Sequence, residues 1–236
     1  MIKIKTVVLA IFSLAMIGLI SCEKETTLRS PTLQLVFDTK TSSTSLKNTL
    51  ANNIEFTDGR IILENISFEA ESDTDSIQLE FEINAFITID FATGEITPDV
   101  SAIEILPGYY TEIELEFELW DQTEQPSIYL EGTYTDTNGT PHPVRLIMPV
   151  GQTFSLEIEG QFNIQEHTSM IALITIDPGA WFIGKAGELL SSATTNSEGV
   201  IVISPDHNYA IYDLVKDAID DMSEIEIEIY EHQKSQ

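Results

Sequence analysis

The sequence predicts a mainly β protein: an antiparallel β-sandwich, Ig-like or prealbumin-like, with a C-terminal amphipathic helix and a final strand. Three observations predict it. Apolar residues recur with a period of two over most of the chain, turn-forming pairs interrupt them at short intervals, and a helical period emerges only near the end. A closed barrel is the alternative architecture. An outer-membrane barrel is excluded, because the face that would meet lipid carries carboxylates.

Leu33, Leu35 and Phe37 alternate with polar neighbours and open the fold. Ile61 and Leu63, then Ile66 and Phe68, continue the pattern with a phase change at Glu64-Asn65, which predicts a bulge. Asp58-Gly59 reads as a turn before this strand. Ile77, Leu79, Phe81, Ile83 and Ala85 point to one face, and Gln78, Glu80, Glu82 and Asn84 to the other. A turn at residues 92–95 follows, then room for a short strand. The cleanest half-buried strand sets Ile113, Leu115, Phe117 and Leu119 against Glu112, Glu114, Glu116 and Glu118.

Residues 127–134 and 144–148 flank Asp136-Thr137-Asn138-Gly139, a hairpin signature in which Asn-Gly would take the two positive φ angles of a type I′ turn. Phe154, Leu156 and Ile158 form the next strand, with Phe162 and Ile164 beyond Gly160. The continuous apolar run at residues 170–176 predicts a strand covered on both faces, ended by Asp177-Pro178-Gly179. A short helix over residues 183–190 and a strand over 200–203 come next. Ser204-Pro205-Asp206 reads as a helix start, and Ile211, Leu214, Val215, Ala218, Ile219 and Met222 give a helix of about four turns. Ile225, Ile227 and Ile229 alternate with Glu224, Glu226 and Glu228 in the last strand.

Residues 1–21 read as a lipoprotein signal peptide. Lys3 and Lys5 form its positive start, and residues 7–20 form an apolar run too short to span a bilayer. Leu19-Ile20-Ser21-Cys22 resembles the bacterial lipobox, which implies lipid attachment at Cys22 and anchoring through acyl chains at about 0.8 kcal/mol per buried CH₂. Residues 22–31 form a polar tether whose Glu23-Lys24-Glu25 start partly resembles surface-export signals of Gram-negative lipoproteins. The organisation expected is thus signal peptide, tether, a sandwich domain over residues 32–180, and a helix-containing extension over residues 181–236 packed on it.

Charge narrows the partners. The chain has 39 acidic and 11 basic side chains, a net charge of −28, and 42% hydrophobic residues. That balance supports a core and disfavours nucleic acid and anionic membrane surfaces. The membrane contact expected is therefore the N-terminal lipid. The single cysteine excludes a disulfide framework.

Leu106-Pro107-Gly108-Tyr109-Tyr110-Thr111-Glu112-Ile113, Met148-Pro149-Val150-Gly151 and Ile174-Thr175-Ile176-Asp177 resemble phrases of uncharacterised β-sandwich domains, of unknown function, in bacterial outer-membrane and surface lipoproteins. The resemblance covers residues 33–180. Glu114 stands where that family often has arginine. It implies a fold and a location, outer membrane and lipid-anchored, and carries over no catalytic residue.

The residues capable of chemistry admit several readings. Glutamates at alternate positions of one strand lie about 6.6 Å apart, a spacing within the range of glycosidase carboxylate pairs and equally that of a solvated sheet face. Asp73-Thr74-Asp75-Ser76 and Asp136-Thr137-Asn138-Gly139 are fragments of calcium loops without the later glutamate. Asp75-Ser76-Ile77 resembles an O-glycosylation acceptor. His142, His167, His207 and His232 form no metal-ligand spacing. Trp120, Trp181, Tyr109 and Tyr110 could stack on sugar rings or fill the core. Only Cys22 is assigned a role, and no catalytic, cofactor-binding or metal-ligating residue is named. The functions expected are a non-enzymatic binding or adhesion module for a glycan or protein, a structural accessory subunit of an envelope complex, or a hydrolase with an unrecognised carboxylate pair.

Overall fold

A computed structural model describes residues 30–39, 53–72, 78–100, 103–120, 125–149, 153–166, 168–219 and 223–231. The expected signal peptide, Cys22, most of the tether, residues 73–77, His167, Met222 and His232 lie outside the described residues.

Two sheets form the molecule. The smaller has the order β12 (Ser223–Glu231), β10 (Thr168–Ile176), β1 (Thr32–Thr39), β5 (Ile103–Glu104). The larger runs β11 (Ile201–Ile203), β8 (Pro141–Met148), β7 (Ile128–Thr135), β2 (Ile54–Glu71), β3 (Gln78–Asp90), β4 (Ile96–Thr97). It forks along β2. The first half of β2 pairs with β7, and the second half pairs with β6 (Gly108–Leu119), which in turn pairs with β9 (Thr153–Ile164). The alternation that predicts these strands also buries them. Leu33, Leu35 and Phe37 of β1, Ile66 and Phe68 of β2, and Ile113, Leu115 and Phe117 of β6 all belong to one core. Phe37 meets Phe117 edge-on between the sheets, ring centroids 5.7 Å apart.

The fork falls at the predicted bulge. Register shifts between Leu63 and Asn65 on both sides: against β6 Glu64 is the extra residue, whereas against β3 the extra residue lies on β3, where Ala85 and Phe86 stand opposite Glu64. Asp58-Gly59 is not a turn. It is a second bulge inside β2, where register shifts between Phe56 and Asp58. Gly59 has φ +132°, and a Cβ there would run into the Tyr129 carbonyl on the neighbouring strand. A bulge and a turn make the same demand for a residue that tolerates positive φ, which is why the pair misleads.

Other local expectations need correction. The β7–β8 hairpin has only Gly139 at positive φ, +82°, so its turn is not type I′. Gly139 N–H donates to the Asp136 carbonyl at 2.9 Å and Asp136 N–H to the Thr140 carbonyl at 2.9 Å, as in a type I turn closed by a glycine bulge. β10 is buried along Met170, Ala172, Ile174 and Ile176, but Ile171 and Leu173 on its other face are only half-covered. Two pairings are parallel, β1 with β10 and β8 with β11, which a period of two leaves undetermined.

After β10, a 3₁₀ turn (Ala180–Phe182) drives Trp181 and Phe182 into the core, and α1 (Lys185–Leu190) follows. β11 then joins the large sheet. Ser204 does not cap a helix. Its hydroxyl accepts the N–H groups of Asp206 and His207 in a separate turn, and α2 (Tyr209–Ala218) starts beyond it, after Asn208. Ile211, Tyr212 and Val215 bury the inner face of α2. β12 closes the small sheet, so the two strands after residue 180 belong one to each sheet.

Candidate functional site

The outer face of the large sheet gathers most of the predicted candidates. Across β6, β2 and β3 the register aligns Glu114, Glu69 and Glu80 in one row, with Glu112, Glu71 and Gln78 in the next. Glu116, Ser67 and Glu82 follow on the other side, then Glu118, Asn65 and Asn84. β9 brings Glu157 and Glu159 into register opposite Glu114 and Glu112. The predicted comb is thus one column of a broader carboxylate field, and no lysine or arginine occupies any of these positions. Strands sit about 4.8 Å apart, so like charges directly opposite destabilise the pairing. Glu69, in the middle, has its carboxyl pushed above the usual range, first by partial burial and then by Glu80, Glu114, Glu71 and Glu116. The second comb, Glu224, Glu226 and Glu228, is remote from this field. It lies on β12 of the small sheet, in register with Thr175, Leu173 and Ile171.

At the bulge the field ends in two aromatic rings. Trp120 follows Glu118 just past the end of β6, and its backbone N–H donates to the Ile62 carbonyl at 3.0 Å. Phe86 follows Asn84 on β3 and is 46% exposed. The rings meet edge to face across β2, centroids 4.9 Å apart. Beside them Asn65 Nδ2 donates to Glu82 Oε1, while Asn65 Oδ1 is buried with no hydrogen-bond partner.

Beyond the bulge the face changes character. Tyr129 lies between Arg60 and Arg145, whose guanidinium carbons stand 5.5 and 5.7 Å from its ring centroid. Arg145 donates to Glu131 Oε1 from Nε at 2.9 Å and Nη2 at 2.7 Å, and Tyr129 OH donates to the same oxygen at 2.7 Å. The Tyr129 and Arg145 hydrogen bonds hold the Glu131 carboxyl below its usual range.

The remaining candidates disperse. Trp181 and Tyr110 are core residues, 2% and 1% exposed, and Tyr110 OH donates to the Leu106 carbonyl. Neither can stack on a ligand. Tyr109 is exposed but stands far along β6, beside Gly108. The Asp136 loop is organised around its own carboxylate. Oδ1 accepts the N–H groups of Asn138 and Thr140, and Oδ2 faces His142 Nε2 at 3.3 Å. That use of both oxygens suits a turn. Among the described residues no group of three or more His, Cys, Asp or Glu could hold a metal ion.

The sequence shows the comb, Trp120, the outward Glu80 and Glu82 and a bulge at Asn65, but not that they share one site, and Phe86 and the β2 glutamates Glu69 and Glu71 were missed. Phe86 had a signal, since it breaks the polar phase Gln78, Glu80, Glu82, Asn84. The pairing of β6 with β2 had none, because register is not written in a single strand. Compared with known proteins, the chain matches no family model, no curated protein and no solved structure.

Proposed function

We propose that this chain is a lipid-anchored cell-envelope protein acting as a non-enzymatic binding or adhesion module, with the outer face of the large sheet as its docking surface. The anchor rests on the signal-like residues 1–21 and on Cys22. The binding face rests on one observation above all: Phe86, a large apolar ring 46% exposed, held against Trp120 on an otherwise polar sheet face. Burying a ring of that size contributes about 1.5–3 kcal/mol when a partner covers it. The carboxylates beside it form a flat, regular array. Catalysis by a carboxylate pair asks instead for one acid sheltered in a cleft.

Three experiments test this. A Cys22→Ala variant should lose lipid label and leave the membrane fraction, and unchanged membrane association would sink the anchor. Protease shaving of intact cells, against a lysed control, reports which side of the membrane bears the sandwich. For the face, the mature chain and its Phe86→Ser variant are applied to glycan and polypeptide arrays. Binding by the first that is lost in the second is the expected result, and equal binding by both overturns the assignment.

A further inference from the structure

Resting on the reading that this face binds a partner, we propose that its occupant is a cationic polypeptide segment. Basic side chains would lie over the glutamates of β6, β2 and β3, and one side chain would rest against the Phe86–Trp120 pair.

Three features converge on a ligand rich in N–H donors and positive charge. The first is charge complementarity. Glu114, Glu69 and Glu80 form a row of like charges across three adjacent strands, with further glutamates on either side and no basic residue in register among them. Each pair opposes folding, and a cation laid between them reverses the sign of that interaction. The second is Asn65. Its Nδ2 is used by Glu82, but its Oδ1 is sealed from solvent without a donor, a deficit of about 1–3 kcal/mol. The neighbouring carboxylates are acceptors, and Asn84, the amide opposite it in register, does not donate to it, so an N–H group of a ligand would fill the place. The third is the aromatic pair, whose ring faces attract ammonium and guanidinium groups as well as apolar side chains.

The geometry suits an extended chain. Glutamates along β6 repeat at about 6.6 Å, the same interval at which an extended peptide presents alternate side chains to one side. A polyanion is repelled here. A neutral glycan would stack on the rings and supply hydroxyl donors, but would leave the charge uncompensated.

The test uses the full mature chain and a fluorescent nona-arginine peptide, with binding followed by anisotropy over a range of salt concentrations. Because any protein of this charge attracts polycations, a charge-matched control decides the matter. Glu69→Gln with Glu114→Gln should weaken binding about five- to tenfold at low salt and flatten its salt dependence. Asp38→Asn with Glu104→Gln, which removes two exposed carboxylates from the small sheet, should change it less than twofold. Phe86→Ser should weaken binding at every salt concentration. Melting curves verify that each variant folds. Equal losses from the two charge pairs would show attraction by net charge alone and overturn the proposal. Binding of a neutral glucan, abolished by Phe86→Ser while the peptide fails to bind, would overturn the cationic occupant and leave the binding face standing. Failure of every probe on peptide and glycan arrays alike would overturn both.

Discussion

Asn208 clamps Thr194 with both ends of its amide. Oδ1 accepts the Thr194 N–H at 2.9 Å, and Nδ2 donates to the Thr194 carbonyl at 2.9 Å and to the Val202 carbonyl at 2.7 Å. Asn208 does this from a left-handed backbone, φ 52° and ψ 42°. It therefore ties the loop after α1, strand β11 and the start of α2 together. Asn208→Ala loses these bonds, with the one from the Thr194 hydroxyl to Oδ1 at 3.2 Å, and keeps the backbone strain, at a cost of about 2–4 kcal/mol. Asn208→Gly loses the bonds and relieves the strain, so it should lie between wild type and alanine in urea denaturation. Alanine as stable as glycine would contradict the strain.

Gly59 and Gly139 both have positive φ but differ in surroundings. A Cβ at Gly59 collides with the Tyr129 backbone, whereas one at Gly139 meets nothing within 4 Å. Gly139→Ala should cost only about 1 kcal/mol of backbone strain. Gly59→Ala must also separate β2 from β7, with a loss above ~3 kcal/mol or failure to fold. Thermal melts of the two variants, run in parallel, check the order.

Stability should rise on mild acidification from neutral pH. Glu69 titrates higher in the folded chain than its ordinary 4.5. Its contribution is thus fully present below 4.5 and is lost as pH rises through the raised folded value. Glu69→Gln should stabilise the protein at pH 7 by roughly 0.5 kcal/mol, the size of a cross-strand like-charge pair, and flatten this part of the profile. A variant less stable than wild type at pH 7 would refute the repulsion.

Strong acid should act in the opposite direction through other groups. Glu131 is held below 4.5 by Tyr129 and Arg145, and Asp136 below 3.8, first by the Thr140 N–H and also by His142 and the Asn138 N–H. Their contributions are present above the unfolded values and disappear as pH falls through the folded ones. Glu131→Gln should therefore lower the melting temperature at pH 6 and converge with wild type near pH 2. A constant gap across that range would rule out ionisation as the cause.

The sandwich was legible because its information is local. Leu115 and Glu116 show which face is inward whatever lies beside them, and the slip from Leu63 to Ile66 reports the bulge directly. The proposed docking face was half legible for the opposite reason. Trp120 and the β6 glutamates stand out in sequence, but their neighbours come from residues 65–86, brought alongside by a pairing that only the folded sheet specifies. Helix α2 shows a further limit. Serine, proline and aspartate satisfy the grammar of a helix start, yet Ser204 spends its hydroxyl on the turn before it.

The pairing of β1 has a consequence for the order of assembly. β1 leaves the ribosome first, but its full-length neighbour β10 follows only after more than a hundred residues, and β12, on the far side of β10, comes last. In the interval β5 reaches only Thr32 and Leu33. Leu35 and Phe37 therefore gain their neighbouring strand only when β10 pairs with β1, and a parallel partnership across such a distance closes late. Any state of the chain in which β10 has not paired with β1 leaves this apolar strand edge open, and so open to pairing with another chain.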